Sequence, residues 1–192
     1  MTKLTGLFFG SFNPIHQGHL ILAEYFASLS EMEEVWLVLS PQNPLKSGDH
    51  MLDFETRASW IETCIQDNPR LMLCTVEKDF PLPSYTYRTL EHLGNLYPDR
   101  SFVLLLGEDQ LIQFTRWKNY ELILNSWPLW VYPRHFDGQL PENPVPHRLV
   151  EAPKIEISST LIRRRLAQGL SVRYLVPDIL WKTCANHPFW RG

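Results

Sequence analysis

Two histidines, His16 and His19, lie three positions apart in the segment Gly10-Ser11-Phe12-Asn13-Pro14-Ile15-His16-Gln17-Gly18-His19. The segment follows an apolar run and leads into residues with the i, i+4, i+7 spacing of a helical stripe. This pattern predicts a strand, a tight turn and the start of a helix. The unpaired N–H groups of a first helical turn and the positive end of the helix dipole attract anions. Imidazoles at that entrance can donate hydrogen bonds to phosphate oxygens, so we expect a phosphate site here.

A second segment, Ile157-Ser158-Ser159-Thr160-Leu161-Ile162-Arg163, combines hydroxyls at a predicted helix start with an arginine one turn later. Ser159, Thr160 and Arg163 fall on one helical face, where they could form a second anion site. A guanidinium suits this task because its planar fork binds two phosphate oxygens at once. Taken alone, the segment favours an N-cap followed by a solvated basic face, 163–165. The side chains expected to face the sheet are Leu161, Ile162 and Leu166.

The elements that must position these residues alternate along the chain. Apolar runs of strand length predict five strands at 4–9, 35–39, 71–76, 101–106 and 128–132, with a short sixth strand at 149–151. Helical patterns cover about 18–30, 53–68, 85–96, 110–114, 118–124, 157–169 and 177–186. Strands that are buried on both faces and alternate with helices indicate an α/β fold, a doubly wound parallel sheet with helices on both faces. We expect a single domain, 1–192, with a C-terminal helical part from about 157.

Composition narrows the class of protein. The 192 residues are 44% hydrophobic and carry a formal net charge of −3, which supports a core and argues against nucleic acid as a partner. No apolar run approaches the roughly 20 residues that span a bilayer, so no membrane partner is expected. The cysteines are scattered and odd in number: Cys64, Cys74 and Cys184. Without a disulfide framework or a signal-peptide pattern, we expect a cytoplasmic protein.

The first segment resembles the H-x-G-H signature of the nucleotidyltransferase superfamily, and its longer form G-S-F-N-P-I-H-x-G-H is most like that of the nicotinate-nucleotide adenylyltransferases. The second segment resembles the I-S-S-T-x-I-R signature of the same enzymes. The resemblance covers nearly the whole chain, with the motifs in family order. It implies a Rossmann-like fold of five to six strands and transfer of the adenylyl group of ATP to nicotinic acid mononucleotide. The products would be nicotinic acid adenine dinucleotide, an intermediate of NAD biosynthesis, and pyrophosphate.

The resemblance also implies roles for individual residues. His16, His19 and Arg163 would be catalytic, because they would hold phosphates and stabilise the charge that develops on the transferring group. No side chain has the pattern of a covalent nucleophile, so catalysis would be positioning plus electrostatics. Mg²⁺ would bridge phosphate oxygens with no dedicated metal ligands from the protein. ATP would be bound by residues of both signatures: Gly10, Ser11, Phe12, His16, Gly18, His19, Ile157, Ser158, Ser159, Thr160 and Arg163.

The mononucleotide site would be formed by the loops that follow the strands. Lys46 lies in a proline-containing loop, Thr86 in a segment similar to the family's S-Y-T-x-x-T-L, and Gly107 and Asp109 in its G-x-D. Trp117 matches a tryptophan that stacks on the pyridine ring. Each has a plain structural alternative: a surface lysine, a helix N-cap, a capping turn and a core aromatic. A tryptophan beside Phe114 is equally compatible with core and ligand on the sequence alone.

Several functional alternatives remain open at this stage. A dual-specificity nicotinamide/nicotinate mononucleotide enzyme, or an adenylyltransferase or cytidylyltransferase for another phosphate acceptor, shares H-x-G-H. A module that senses nucleotides without turnover would carry the same binding residues. The sequence also leaves open a homo-oligomer, the roles of loop 133–146 and of Arg164 and Arg165, and whether the tail Phe189-Trp190 docks on its own domain or on a partner.

Overall fold

The computed structural model describes residues 4–41, 51–134 and 145–191. Six strands form one sheet: β1 (Leu4–Gly10), β2 (Met32–Leu39), β3 (Leu71–Cys74), β4 (Ser101–Gly107), β5 (Leu129–Tyr132) and β6 (Arg148–Leu149). Their order is β3-β2-β1-β4-β5-β6, and every neighbouring pair is parallel. The predicted Rossmann-like, doubly wound sheet is therefore confirmed. The strand order reverses between β1 and β4, and ligands of such sheets bind outside the carboxyl ends of the strands at this point.

Seven α-helices connect or follow the strands within the described residues: α1 (Gln17–Ala27), α2 (Phe54–Ile65), α3 (Thr86–Leu96), α4 (Glu108–Ile112), α5 (Tyr120–Ser126), α6 (Ser159–Ala167) and α7 (Asp178–Asn186). Three short 3₁₀ turns lie at Val76–Asp79, Phe114–Arg116 and Pro188–Arg191. All seven predicted helices exist, and their ends shift by a few residues. Asp53 is the N-cap of α2, since its side chain accepts from the Thr56 backbone N–H.

Two details differ from the sequence prediction. The third strand ends at Cys74 instead of residue 76, because it is an edge strand whose pairing with β2 ends where Val38 meets Cys74. The chain then enters the 3₁₀ turn Val76–Asp79. The last helix begins at Asp178 and not at residue 177, because Pro177 is its N-cap, with an extended ψ of 144°.

The sheet divides the core into two layers. Along β1, Phe8 belongs to one buried cluster and Leu7 and Phe9 to the other, as the period-2 alternation of a strand requires. The first cluster includes apolar residues of α1, α2, α6 and α7, and the second includes those of α3, α4 and α5. Helices therefore cover both faces, and the buried strands carry continuous apolar runs for this reason.

The C-terminal tail docks on its own chain. Trp190 is 7% exposed, belongs to the first core cluster and donates its indole N–H to the Cys184 carbonyl at 2.8 Å. Of the two alternatives left open by the sequence, the structure therefore has the intramolecular one. No helix in the described ranges is both long and apolar enough to cross a membrane.

Candidate active site

A cavity of about 620 Å³ lies at the carboxyl ends of the strands on both sides of the order reversal. It brings together fourteen of the sixteen predicted site residues: Gly10, Ser11, Phe12, His16, Gly18, His19, Thr86, Asp109, Trp117, Ile157, Ser158, Ser159, Thr160 and Arg163. Gly107 is the N-cap of α4, two residues before the cavity-lining Asp109. Lys46 lies outside the described residues. Two signatures separated by more than 130 positions thus share one cavity.

His16 is the N-cap of α1. Its Nδ1 accepts a hydrogen bond from the His19 backbone N–H at 3.3 Å, so in the neutral ring the proton is on Nε2. The side chain is 3% exposed. Burial, and secondarily the positive charge of Arg134, lower the pKa of His16 to about 3. The residue is therefore a neutral hydrogen-bond donor over the physiological pH range and not a cation.

His19 stacks on His16, with ring centroids 3.6 Å apart and planes inclined by 19°. The edge of the His19 ring also meets Phe12 at a centroid distance of 4.9 Å. The two imidazoles are thus held by ring contacts and by the first turn of α1, in which the Gln17 N–H donates to the Leu175 carbonyl and the His19 N–H donates to His16. This arrangement concentrates donors at the predicted phosphate site.

The two glycines of the first signature serve packing within the site. A Cβ on Gly10 would come within 2.9 Å of the Phe12 ring, and a Cβ on Gly18 within 3.1 Å of His16 Nδ1. The first contact is closer than Cβ atoms make, and the second would require the His16 ring to shift by a few tenths of an ångström. The two glycines therefore make room for the Phe12 and His16 rings, which line the cavity.

Side chains of the second signature bind the first loop directly. Arg163 Nη1 donates to the Asn13 carbonyl at 3.0 Å, and Ser159 Oγ donates to the Pro14 carbonyl at 2.9 Å. Ser158 is the N-cap of α6 and accepts from the Leu161 N–H at 3.2 Å. The N-termini of α1 and α6 are therefore fixed relative to each other.

On the opposite face of α6, Ile162 and Leu166 are buried as predicted, whereas Leu161 is only partly buried. Leu161 does not pack on the first core cluster, because consecutive residues lie about 100° apart around a helix and Leu161 is thereby turned away from the buried side of Ile162. The prediction that all three apolar residues face the sheet is therefore wrong for Leu161.

The other end of the cavity is formed by the start of α3. Thr86 is the first residue of this helix, and Tyr85 is its N-cap without a side-chain capping bond. The N-cap alternative for Thr86 is therefore wrong, because the helix begins at Thr86 itself. Glu77, 2% exposed, accepts from Ser84 Oγ at 2.9 Å and from Thr89 Oγ1 at 2.7 Å. This buried carboxylate anchors the loop before α3 to the helix.

Asp109 faces Arg134 across the cavity wall. Both carboxylate oxygens of Asp109 accept from Arg134 Nη1, at 3.1 and 3.3 Å. A Cβ on Gly107 would lie 2.6 Å from Asp109 Oδ1 and 2.9 Å from Arg134 Cδ, so Gly107 makes room for this ion pair. The Arg134 N–H also donates to Glu108 Oε2 at 3.3 Å. Arg134 thus contributes a positive charge to the cavity, and residues 135–144 of the predicted loop 133–146 lie outside the described residues.

Trp117 is both a core residue and a cavity-lining residue, the two alternatives that the sequence left open. Its ring packs on Phe114 at a centroid distance of 5.1 Å and an angle of 40°, and the residue is half-buried and also lines the cavity. One part of the indole belongs to the second core cluster, and another part offers a surface to a planar ring.

Neither a nucleophile nor a metal cage accompanies these donors in the described parts of the chain. The cysteines are free, and burial raises the pKa of Cys64 and of Cys184 to about 12, so their thiolates are not formed near neutral pH. No group of three or more His, Cys, Asp or Glu side chains could hold a metal ion within residues 4–41, 51–134 and 145–191. The cavity offers hydrogen-bond donors and positive charge for an anionic ligand.

Sequence reasoning did not identify Glu77, Arg134 or the Asn13 carbonyl that accepts a hydrogen bond from Arg163. Glu77 lies in a charged segment of the kind that is usually exposed to solvent. The two hydroxyl groups that donate to it lie 7 and 12 positions later. A signal for Arg134 exists, since a basic residue lies two positions after the apolar strand β5, at the end of the sheet where the other loops converge.

Comparison with known proteins places this geometry in a family. Residues 7–165 match the model of the cytidylyltransferase-like family. A relative from Cytophaga hutchinsonii, named "probable nicotinate-nucleotide adenylyltransferase", is 46% identical over 89% of this chain and 90% of its own. A relative of the same name from Christiangramia forsetii is 38% identical over the full length of both chains. The solved structure of Plasmodium falciparum nicotinic acid mononucleotide adenylyltransferase complexed with NaAD superposes with a TM-score of 0.80 at 20% identity, over 98% of this chain and 97% of that one.

The buried, neutral state of His16 predicts a pH-dependent stability. Between pH 6.5 and about 3 the unfolded chain binds a proton at this site and the folded chain does not, so stability falls as the pH falls through this window. From pH 7 to 4.5 the contribution is about 2–3 kcal/mol. The variant His16→Asn keeps an N-capping side chain but does not titrate. Urea unfolding at both pH values should show a smaller loss of unfolding free energy for the variant. An equal loss in both proteins would contradict the assignment.

Proposed function

Because the chain belongs to the cytidylyltransferase-like family and, within it, to the nicotinate-nucleotide adenylyltransferases, we propose that it transfers the adenylyl group of ATP to nicotinic acid mononucleotide. The products are nicotinic acid adenine dinucleotide and pyrophosphate, in the biosynthesis of NAD. The observation that carries this proposal is the pair of helix N-termini, of α1 and α6, joined by the Arg163–Asn13 and Ser159–Pro14 hydrogen bonds at one cavity. Such a pair suits a polyphosphate that bends between two anion sites.

The chemistry requires an in-line displacement at the α-phosphate of ATP. An oxygen of the mononucleotide 5′-phosphate forms a bond to that phosphorus, and the bond from phosphorus to the leaving pyrophosphate oxygen breaks. The attacking oxygen is already anionic, so no base has to remove a proton. The protein must align the two phosphates and stabilise the charge on the transferring group.

The proposed roles follow from position and charge. His16, neutral, would donate from Nε2, and His19, stacked beside it, would hold phosphate oxygens together with the Gly18 N–H. Arg163, next to Thr160 at the α6 start, would neutralise triphosphate charge. Arg134 and Lys46 would add positive charge for the mononucleotide or the leaving pyrophosphate. Mg²⁺ would arrive with ATP as part of the substrate, which suits a cavity whose two acidic side chains already accept hydrogen bonds, Asp109 from Arg134 and Glu77 from Ser84.

The pyridine end of the mononucleotide would lie between Trp117 and the start of α3. Stacking on the indole would hold the ring, and the first-turn N–H groups at Thr86 would bind its carboxylate. Asp109 would reach a ribose hydroxyl.

The three cysteines are free thiols, in keeping with a reducing, cytoplasmic compartment.

The experiment that tests this function measures pyrophosphate release. The purified chain is incubated with MgATP and, separately, with nicotinic acid mononucleotide, nicotinamide mononucleotide, phosphopantetheine and glycerol phosphate. Dinucleotide and pyrophosphate should form in equal amounts with the pyridine mononucleotide. Turnover of a different acceptor only, or ATP binding without turnover by the native chain, would contradict the proposal.

The first activity prediction concerns His19. Replacing His19 by Ala should lower kcat by about 10²–10³, the scale of removing one donor to a developing oxyanion. Circular dichroism and the thermal midpoint should stay close to those of the native chain, because His16 and not His19 caps the helix. The kcat of both proteins is measured by steady-state kinetics with both substrates saturating. Undiminished kcat would remove His19 from the mechanism.

The second activity prediction concerns Arg163. The variant Arg163→Lys should raise KM for ATP by about tenfold or more, because a point charge cannot bind both the Asn13 carbonyl and a phosphate as a planar fork does. The KM for the mononucleotide should change much less. A matched control is Arg164→Lys on the exposed side of the same helix. The reverse pattern, with only the mononucleotide affected, would show that the two phosphate sites are assigned backwards.

The third activity prediction concerns the choice of base. Nicotinic acid mononucleotide should be preferred over nicotinamide mononucleotide by at least about tenfold in kcat/KM. The helix-start N–H groups suit a carboxylate, whereas the NH₂ of an amide would face an N–H, and an unpaired buried polar group costs about 1–3 kcal/mol. The two kcat/KM values are measured at saturating ATP. Equal values would mean a dual-specificity enzyme and would place Thr86 outside the base pocket.

A further inference from the structure

Arg57 is a buried cation beneath the first loop of the site. It lies on α2, is 2% exposed, and is the bulkiest of the fully buried side chains in the described residues. Four of its N–H donors bind main-chain carbonyls. Nε donates to Leu52 at 2.9 Å, Nη1 to both Ser11 and Ser40 at 2.8 Å, and Nη2 to Pro41 at 3.2 Å.

These carbonyls belong to three chain segments that meet at the cavity. Ser11 lies in the loop after β1, Ser40 and Pro41 follow β2, and Leu52 precedes α2. Ser11 and Ser40 both line the cavity. Arg57 therefore connects three segments of the backbone at the wall of the proposed triphosphate site.

Further hydrogen bonds tie the same segments together. The Ser40 N–H donates to the Gly10 carbonyl at 2.9 Å, and the Leu52 N–H donates to Asn13 Oδ1 at 3.2 Å. The loop after β1 is thereby held from the α2 side by Arg57 and Leu52. It is held from the α6 side by Arg163 and Ser159.

The charge of Arg57 has no paired carboxylate in the described part of the chain. All of its hydrogen bonds end on carbonyl oxygens, and the ion pairs of the described residues do not include it. Asp53, the carboxylate whose charge acts on the pKa of Arg57, bonds Thr56 through both of its oxygens. Burial lowers the pKa of Arg57 to about 10, so the guanidinium still carries its charge near neutral pH. A buried charge of this kind is stabilised by an anion nearby.

We infer that Arg57 is a positioning residue for the triphosphate of ATP, which sets the backbone of the phosphate-binding loop and adds positive charge beneath it. The inference rests on the proposed function and deepens it. Arg57 does not touch the ligand in this scheme; it acts through Ser11 and Ser40. Loss of the guanidinium should therefore weaken ATP binding in the molecules that remain folded.

The test compares Arg57→Gln and Arg57→Lys with matched changes at Arg70. Arg70 also donates to two carbonyls, Met32 at 2.7 Å and Glu33 at 3.2 Å, but at the opposite end of β2 and away from the cavity. The Kd for MgATP alone is measured by calorimetry, and KM and kcat are measured for both substrates. Thermal midpoints of all variants are recorded.

Both Arg57 variants should raise Kd and KM for ATP by about 10–100-fold, the scale of lost hydrogen bonds to a charged group. The KM for the mononucleotide should change little. Arg70→Gln and Arg70→Lys should lower the thermal midpoint while the Kd for ATP stays that of the native chain. Arg57→Lys keeps the charge and the apolar stem, so it supplies the measurement if the neutral variant does not fold.

Unchanged ATP affinity in a folded Arg57 variant would overturn the inference, because a merely structural residue lowers the active fraction and hence the apparent kcat but leaves Kd and KM unaltered. An equal rise in Kd for the Arg57 and Arg70 variants would overturn it as well. These outcomes are distinct from failure of the proposed function. In that case the native chain forms no dinucleotide, while the Kd for MgATP still tests the role of Arg57.

Discussion

The site depends on hydrogen bonds from distant side chains to the main-chain carbonyls of one short loop. Residues 11–16 connect β1 to α1, and carbonyls within residues 11–14 accept from Arg57 on α2 and from Ser159 and Arg163 on α6. A loop between elements would otherwise rely on water for these acceptors. Because the donors come from two helices, the loop has one conformation only when both helices are docked on the sheet. The anion site at this loop is thereby a consequence of the complete fold, although the first signature, which identifies it in the sequence, occupies only ten positions.

The same constraint accounts for the electrostatic character of the site. His16 is buried as an N-cap, which keeps it neutral and fixes its proton on Nε2, so the first turn of α1 gains a donor without a mobile charge. Positive charge is supplied instead by guanidinium groups, which stay protonated even when partly buried. Preorganised donors of this kind need no reorganisation when charge moves between phosphates. A nucleotidyl transfer without a covalent intermediate requires mainly that the protein align the two phosphates and stabilise the charge on the transferring group.

Sequence reasoning predicted the parts of this site that are local and missed those that depend on tertiary partners. The strands, the helices and both signatures follow from apolar periodicity and from residue types within one segment. Arg57, Glu77 and Arg134 could not be assigned in this way. Arg57 occupies a helical position where an arginine is typical of a solvated face, and its partners lie up to 46 positions away. The end of β3 and the packing of Leu161 depend on neighbours for the same reason.

The base end of the cavity shows how a missed residue can set selectivity. Hydroxyl groups can donate or accept, so Ser84 and Thr89, if left to rotate, would tolerate an amide as readily as a carboxylate. Glu77 accepts from both hydroxyls and so directs their hydrogens toward itself. Ser84 lines the cavity, and with its hydrogen directed to Glu77 its oxygen can only accept from a ligand. The donors at the start of α3 are therefore the backbone N–H groups, which a carboxylate matches and the NH₂ of an amide does not. The discrimination proposed for Thr86 thus requires that the ring substituent meet these N–H groups and not Ser84, whose oxygen would accept from an amide.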